Sequence, residues 1–348
     1  MIQIAINNHA IGPGCNTYIV AEMSGNHNGD LNQAVDIIQA AKEAGADAVK
    51  LQTYTADTIT IDCKNEYFRI KGTLWEGNTL YKLYEQAHTP WEWQPRLKDL
   101  ADRLELDFFS TPFDPKAVEF LETMNVPAYK VASFELVDLP LLRKIAATGK
   151  PIIMSTGMAS LAEIEEAVKA VRDAGNNQLA LLKCTSAYPA PLAEMNLRTI
   201  PNLAQTFGVV SGLSDHTLGM EVAVAAVALG ACIVEKHFTL SRKDPGPDSA
   251  FSMEPAEFTH MVDCIRNVEK ALGEVRYDAT ENEKASRVFR RSLFAVMDIK
   301  AGEKLTEENV RSIRPGYGLH TRHLAEVLGR KARRNISKGT PLTWDLFQ

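Results

Sequence analysis

The stretch that decides the fold is Thr17-Tyr18-Ile19-Val20-Ala21-Glu22, followed by an amphipathic segment at 31–44 and then Asp47-Ala48-Val49-Lys50-Leu51-Gln52. The two outer pieces are short, nearly continuous apolar runs that end in polar residues, the pattern of strands buried on both faces. The middle piece puts Ala34, Ile37, Ile38 and Ala41 on one side of a helix. Asp30 precedes it as a cap and Gly45 follows it as a stop. Strand, helix, strand in that order implies a parallel sheet.

The same unit recurs down the chain. Strand-like runs occupy 17–22, 47–52, 107–110, 128–132, 151–155, 179–184, 209–213 and 231–235. Helical patterns lie at 31–44, 91–104, 115–124, 139–147, 161–174, 196–207, 220–229 and 255–272. Eight units in about 255 residues suit a closed barrel better than a doubly wound sheet. The expected class is therefore α/β, a (β/α)8 TIM barrel followed by a small C-terminal β-rich domain. The barrel is expected at 1–280, a charged linker to about 285, and the small domain at 286–348, where Gly302, Gly316, Gly318, Gly329 and Gly339 punctuate short alternating pieces. One connection, 53–90, is unusually long and carries Tyr54, Tyr67, Phe68, Trp75, Tyr81 and Tyr84. Such a connection inside a compact domain is usually functional.

Composition narrows the function classes. The chain has 348 residues and a net charge of −6, with 45% hydrophobic and 24% charged residues. The balance argues against a nucleic-acid partner, which selects a basic face. No apolar run approaches the length of a membrane span and no basic leader precedes 17–23, so neither membrane insertion nor secretion is expected. The five cysteines are odd in number, widely spaced and free of any CxxC pair, as reduced thiols in a cytoplasmic protein are. GxGxxG, GxxxxGK[ST] and GxSxG are all absent.

Catalytic residues of a TIM barrel stand at the C-terminal ends of its strands. At the expected ends here are Glu22; Lys50 with Gln52; Thr111; Lys130 with Ser133; Ser155; Lys183 with Ser186 and Tyr188; Ser214 with His216; and Glu235 with His237. Buried polar groups are costly unless paired, so a polar crown on apolar strands points to a ligand. Lys50 and Lys130, inside strand patterns, fit a pocket for phosphate and carboxylate; ion pairs to Glu22 or Glu235 and a Schiff-base lysine are the alternatives. His216 and His237 occupy matched positions on adjacent strands. With Glu235 beside them they suit Mn, Fe, Co or Zn acting as a Lewis acid. His27 either lines the site or caps a turn. Asp248, in the rigid Asp244-Pro245-Gly246-Pro247-Asp248 turn, either binds a sugar hydroxyl or amide or is an ordinary turn acid.

These residues carry a resemblance. Ala21-Glu22-Met23-Ser24-Gly25-Asn26-His27-Asn28-Gly29, Val49-Lys50-Leu51-Gln52-Thr53, Phe109-Ser110-Thr111-Pro112-Phe113-Asp114, Met154-Ser155-Thr156-Gly157-Met158, Leu213-Ser214-Asp215-His216-Thr217 and Glu235-Lys236-His237-Phe238-Thr239 resemble the sialic acid synthase family. The tail from about Ser286 resembles that family's antifreeze-like SAF domain. Members condense phosphoenolpyruvate (PEP) with an amino sugar, forming a carbon–carbon bond in a transferase reaction. Leu74-Trp75-Glu76-Gly77-Asn78-Thr79-Leu80-Tyr81 and Phe134 resemble the branch that takes a 2,4-diacetamido-2,4,6-trideoxy sugar; members using N-acetylmannosamine usually have Gly at the position of Phe134 and Asn at that of Ser186.

The resemblance implies roles. Lys50, Thr111, Lys130, Ser133, Ser155, Ser186 and Ser214 would hold PEP. His216 and His237 would bind a divalent metal, typically manganese, with magnesium or cobalt as substitutes, and Glu235 beside it through water. Glu22 would sit near the reacting carbons. Gln52, Tyr188, Asp248 and Phe134 would contact the sugar, and Arg314 would reach its N-acyl group from the SAF domain of the other subunit of a homodimer. A lysine-dependent pyruvate aldolase and a carbohydrate- or ice-binding protein are the competing classes.

Overall fold

The structure is a computed structural model that describes residues 2–72 and 75–348; Leu74, quoted above from the long insert, lies outside the described residues. The chain divides into two compact units, the first ending at Gly273 and the second comprising Glu274–Gln348. The division falls ahead of position 280, because Gly273, at φ 49°, ends the long helix Pro255–Leu272 and the charged segment after it groups with the second unit.

The first unit opens with a hairpin, β1 (Ile4–Ile6) and β2 (His9–Ile11), paired antiparallel. Eight parallel strands follow: β3 (Tyr18–Glu22), β4 (Ala48–Thr53), β5 (Asp107–Pro112), β6 (Tyr129–Val131), β7 (Ile152–Ser155), β8 (Leu179–Cys184), β9 (Val210–Asp215) and β10 (Ile233–His237). They form a closed barrel in which β10 pairs back onto β3. The expected strand periods and the closed topology are thus observed. Alternate residues face opposite ways. Val49 and Leu51 of β4 join the layer between strands and helices, whereas Ala48 faces inward with Val20, Phe109, Ile153, Ala180, Leu182 and Ile233. Gly212 of β9 is required by close packing: a Cβ there would lie 2.4 Å from the Ile233 carbonyl oxygen and 2.8 Å from Leu182.

The hairpin was not legible in the periodicity, because its strands are only three residues each. Its Ile4, Ile6 and Ile11 pack against Tyr18, Val20 and Phe109 and plug the end of the barrel where the strands begin. Asp107, the first residue of β5, anchors it. Its carboxylate accepts from Asn7 Nδ2 at 2.6 Å, from His9 Nδ1 at 2.8 Å and from the Tyr18 hydroxyl at 2.7 Å. At the opposite end, the insert contributes the helices Ala56–Ile59 and Leu80–Ala87, which the aromatic-rich sequence did not reveal.

In the second unit, β11 (Ser292–Ala295) and β12 (Val310–Ile313) pair antiparallel. Its separate core contains Leu293, Ile299, Leu305, Val310, Val327, Ile336, Leu342 and Phe347.

Hydrogen bonds to a charged acceptor are each worth about 1.5–3 kcal/mol, and unpaired buried donors add a penalty. Asp107→Ala is expected to lower the unfolding free energy by about 3 kcal/mol, measured by urea unfolding, and to leave kcat and KM nearly unchanged, since it acts at the end away from the strand tips.

Candidate active site

The strand tips converge as the barrel requires. Lys50 Nζ lies 2.7 Å from Glu22 Oε2, 3.5 Å from Glu235 Oε1 and 3.4 Å from the Thr111 hydroxyl. Lys130 Nζ lies 3.3 Å from the same Glu235 oxygen, which also accepts from the Ser214 hydroxyl at 3.3 Å. All four charged groups are buried. The side chains therefore form the ion pairs left open above, and two cations are balanced by two carboxylates in one cluster. Burial alone disfavours every charge here, but unequally once the neighbours are counted. Burial, with Glu235 nearby, raises the Glu22 carboxyl despite Lys50. Burial also raises Glu235, but Lys130 and Lys50 outweigh it and the net shift is downward. Burial pulls Lys50 down while Glu22 and Glu235 more than restore it; Lys130, with Lys50 beside it, stays lowered. Proton occupancy is thus pushed toward Glu22 and away from Glu235.

Hydroxyls line the neighbouring tips. Ser133 Oγ accepts from the Gly157 N–H at 3.0 Å, and the buried Ser155 hydroxyl has no protein partner. Gly157 must be glycine: a Cβ would stand 2.2 Å from Ser186 Oγ and 2.7 Å from Ser133 Oγ. That absence of a side chain leaves room for the Ser133 and Ser186 hydroxyls beside the Gly157 backbone.

His216 and His237 are brought together, with ring centroids 5.3 Å apart. His216 Nδ1 is 3.0 Å from the Thr185 carbonyl oxygen, to which it donates, so in the neutral ring its Nε2 presents a lone pair. His237 Nδ1 is buried without a hydrogen-bond partner. Burial, with His216 close by, keeps the His237 imidazole well below the usual range and therefore neutral. Among the described residues no group of three or more His, Cys, Asp or Glu side chains forms a closed metal cage. Two imidazoles with an orphaned ring nitrogen nonetheless fit a divalent ion that keeps open positions for water or substrate oxygens, as catalytic rather than structural sites do.

Behind the histidines lies a buried ion pair that sequence reading did not assign. Lys236 Nζ is 2.7 Å from Asp215 Oδ2 and donates to the Thr217 carbonyl at 2.7 Å, while Asp215 Oδ1 accepts from the Thr217 N–H and hydroxyl at 2.9 and 2.8 Å. Asp215 and Lys236 are directly opposed on β9 and β10, each one residue before a histidine, so the pair sets how the two imidazoles approach. The signal was a lysine between two polar residues in an otherwise apolar strand.

Beside Glu22, Gln52 Nε2 donates to Glu22 Oε1 at 2.8 Å and to Ser24 Oγ at 2.9 Å, and Ser24 Oγ donates to Asp248. Ser24, at a positive φ of 48°, is the link that was missed. Asp248 is buried, and burial raises its carboxyl. The Tyr188 ring touches His216 at 4.4 Å, Phe251 at 5.2 Å and Trp75 of the insert at 5.6 Å. Phe134 follows Ser133 in the turn after β6. Its side chain is 57% exposed, because the short 3-10 turn Ser133–Glu135 directs Ser133 to the site and turns the next residue out. Tyr188, Phe251 and Trp75 form an aromatic cluster beside His216. Glu135, half-buried, has an unpartnered Oε2, and burial raises its carboxyl to about 7. Arg314 lies in the second unit, in the turn after β12.

His27 caps a turn. Its Nδ1 accepts from the Gly29 N–H at 3.1 Å, its Nε2 donates to the Thr89 hydroxyl at 3.1 Å, and its ring meets Trp93 edge-on. Burial lowers its pKa to about 4.

Two predictions follow from these placements. The unfolded state binds a proton at His27 below about pH 6.5 and the folded state only below about 4, so this residue's contribution to stability is complete above pH 6.5 and is lost as pH falls toward 4. The loss reaches about 3 kcal/mol. Urea unfolding of wild type and His27→Gln at pH 7 and 4.5 is expected to show the gap between them shrinking with acid. Lys236→Met strands a buried carboxylate and is expected to cost about 3–5 kcal/mol; adding Asp215→Asn recovers part of it, and a double-mutant cycle on thermal unfolding measures the coupling.

Known proteins agree with this architecture. Residues 37–277 match the model of the NeuB family and residues 290–348 that of the SAF domain. The chain is 48% identical to the pseudaminic acid synthase of Helicobacter pylori, over 94% of this chain and 96% of that protein. It is 37% identical to the N,N'-diacetyllegionaminic acid synthase of Legionella pneumophila, over 96% and 95%. The crystal structure of N-acetylneuraminic acid synthetase from Leptospira borgpetersenii superposes with a TM-score of 0.73 at 32% identity, covering 82% of this chain and 94% of that one. The chain belongs to the NeuB family and carries a C-terminal SAF domain.

Proposed function

We propose that the chain is a transferase that condenses PEP with 2,4-diacetamido-2,4,6-trideoxy-L-altrose and water, giving pseudaminic acid and phosphate. The observation that carries the reaction class is the single buried cluster in which Lys50 and Lys130 meet Glu22 and Glu235 beside the His216–His237 pair. The choice of sugar is supported by 48% identity to a pseudaminic acid synthase against 37% to a legionaminic acid synthase.

In this reading the phosphate and carboxylate of PEP take the ammonium groups of Lys50 and Lys130 and the hydroxyls of Thr111, Ser133, Ser155, Ser186 and Ser214. Oriented donors in a site closed to water stabilise the anion and the charge that develops from it. His216 and His237 would hold a divalent metal, manganese by preference, which when bound would supply Lewis-acid polarisation of the open-chain aldehyde. Glu22, whose carboxyl burial pushes toward the protonated form, gives a proton to the oxygen of the new hydroxyl. Glu235, kept anionic by the two lysines, faces the positive charge left at C2 of PEP, orients the water that adds there and accepts its proton. Phosphate then leaves by C–O cleavage, and a nine-carbon 2-keto acid remains. Gln52, Tyr188 and Asp248 position the sugar. A homodimer in which Arg314 reaches the partner's sugar N-acyl group, and a cytoplasmic location, belong to the same reading; among the described residues no helix is long and apolar enough to cross a membrane.

A metal-supplemented assay of phosphate release with PEP and each sugar tests this directly. Turnover is expected with the diacetamido trideoxy sugar; turnover with N-acetylmannosamine alone would overturn the sugar assignment. His216→Ala is expected to lower kcat by at least about 100-fold while the thermal transition stays cooperative, and full activity would remove the metal role. Borohydride with pyruvate is expected to trap no adduct on Lys50 or Lys130, since both ammonium groups are engaged by carboxylates.

A further inference from the structure

Trp75, in the long insert, reaches the residues assigned to the sugar. Its indole N–H donates to the Pro247 carbonyl at 2.9 Å, immediately before Asp248. Its ring lies 5.6 Å from that of Tyr188, which in turn lies 4.4 Å from His216. The loop it grips is held tightly on its other side. A Cβ on Gly25 would stand 2.8 Å from Pro247 Cγ and 3.3 Å from Ala87, and one on Gly246 would stand 2.6 Å from Asn28 Oδ1. The indole is thus anchored through its N–H beside the Tyr188 ring, the two ring planes tilted 54° to each other. Apart from the rings of Tyr188, Phe251 and Trp75, the side chains placed in the site above are polar: the PEP end is lysine and hydroxyl, and Gln52, Ser24 and Asp248 line the other end.

We propose that Trp75 is a specificity-determining residue, whose indole face packs against the deoxygenated C6 methyl end of the sugar and disfavours a hydroxyl there. The inference rests on the function proposed above and names the part of the substrate that distinguishes it. The reacting aldehyde belongs at the histidine pair, and Trp75 lies one ring beyond Tyr188 from His216, so it faces the far end of an extended sugar chain. An apolar face gains from burying a methyl and offers no partner to a hydroxyl stripped of water. Differences of one methyl in an apolar pocket change kcat/KM by about 10- to 200-fold.

The test compares wild type, Trp75→Ala and Trp75→Phe with PEP and either the 6-deoxy diacetamido sugar or its 6-hydroxy analogue. Wild type is expected to prefer the 6-deoxy sugar by at least about tenfold. Trp75→Ala is expected to raise KM for that sugar by about tenfold and bring the preference close to one, with KM for PEP and the thermal transition unchanged, and Trp75→Phe to restore part of the preference. An unchanged preference in Trp75→Ala overturns the proposal while leaving the proposed function intact. An equal loss on both sugars, or a rise in KM for PEP, also overturns it, because a merely structural tryptophan would act that way. Wild-type turnover of neither sugar, with N-acetylmannosamine accepted, overturns the proposed function and this inference together.

Discussion

Lys50 can be buried only because Glu22 and Glu235 reach its ammonium, and Glu235 reaches it only because the sheet is closed. Glu22 is on the first barrel strand and Glu235 on the last. The β10–β3 pairing sets His237 opposite Glu22, and the β3–β4 pairing sets Glu22 opposite Lys50. In an open sheet these strands would be opposite edges and a buried lysine would face neutralisation. Closure thus does more than bury apolar area. It assembles a charge-balanced cluster from residues more than 200 positions apart, and that cluster is the chemical centre of the molecule.

The two ends of the barrel are treated differently. Where the strands begin, the hairpin fills the opening with isoleucines and spends its polar groups on Asp107. Where they end, polar side chains converge and some remain unpartnered: the Ser155 hydroxyl, Glu235 Oε2 and His237 Nδ1. Orphaned buried atoms at one end and full satisfaction at the other are the signature of a face built for a ligand, because such atoms are costly until something binds them. The loops at that face are positioned by tight backbone contacts at Gly25, Gly157 and Gly246, and by Ser24, whose positive φ lets one hydroxyl serve both Gln52 and Asp248.

Much of this was legible from residues alone. Eight apolar runs with polar ends, separated by amphipathic segments, specify strands, helices and an inward-facing crown, since side-chain period is a local property of the backbone. The pairs Glu235/His237 and Ser214/His216 were visible because residues two apart on a strand share a face. The hairpin was not visible, because three-residue strands leave too short a period. The exposure of Phe134 was hidden for a related reason: its neighbour Ser133 ends a strand pattern, and only the 3-10 turn shows that the ring lies at the surface. His27 could be read as either a ligand or a cap until Thr89, from the far end of the insert, supplied its partner.

The sequence by itself determined the eight strands of the barrel, their parallel order, the two-part organisation and the identity of the groups at the strand tips, all of which follow from local periodicity. Only the tertiary structure decided which of those groups touch. Whether Lys50 meets a carboxylate, whether Asp215 finds Lys236, and whether Trp75 reaches Tyr188 depend on barrel closure and loop packing. Those are contacts between distant segments, and a chain's local pattern carries no information about the ångström distances that separate them.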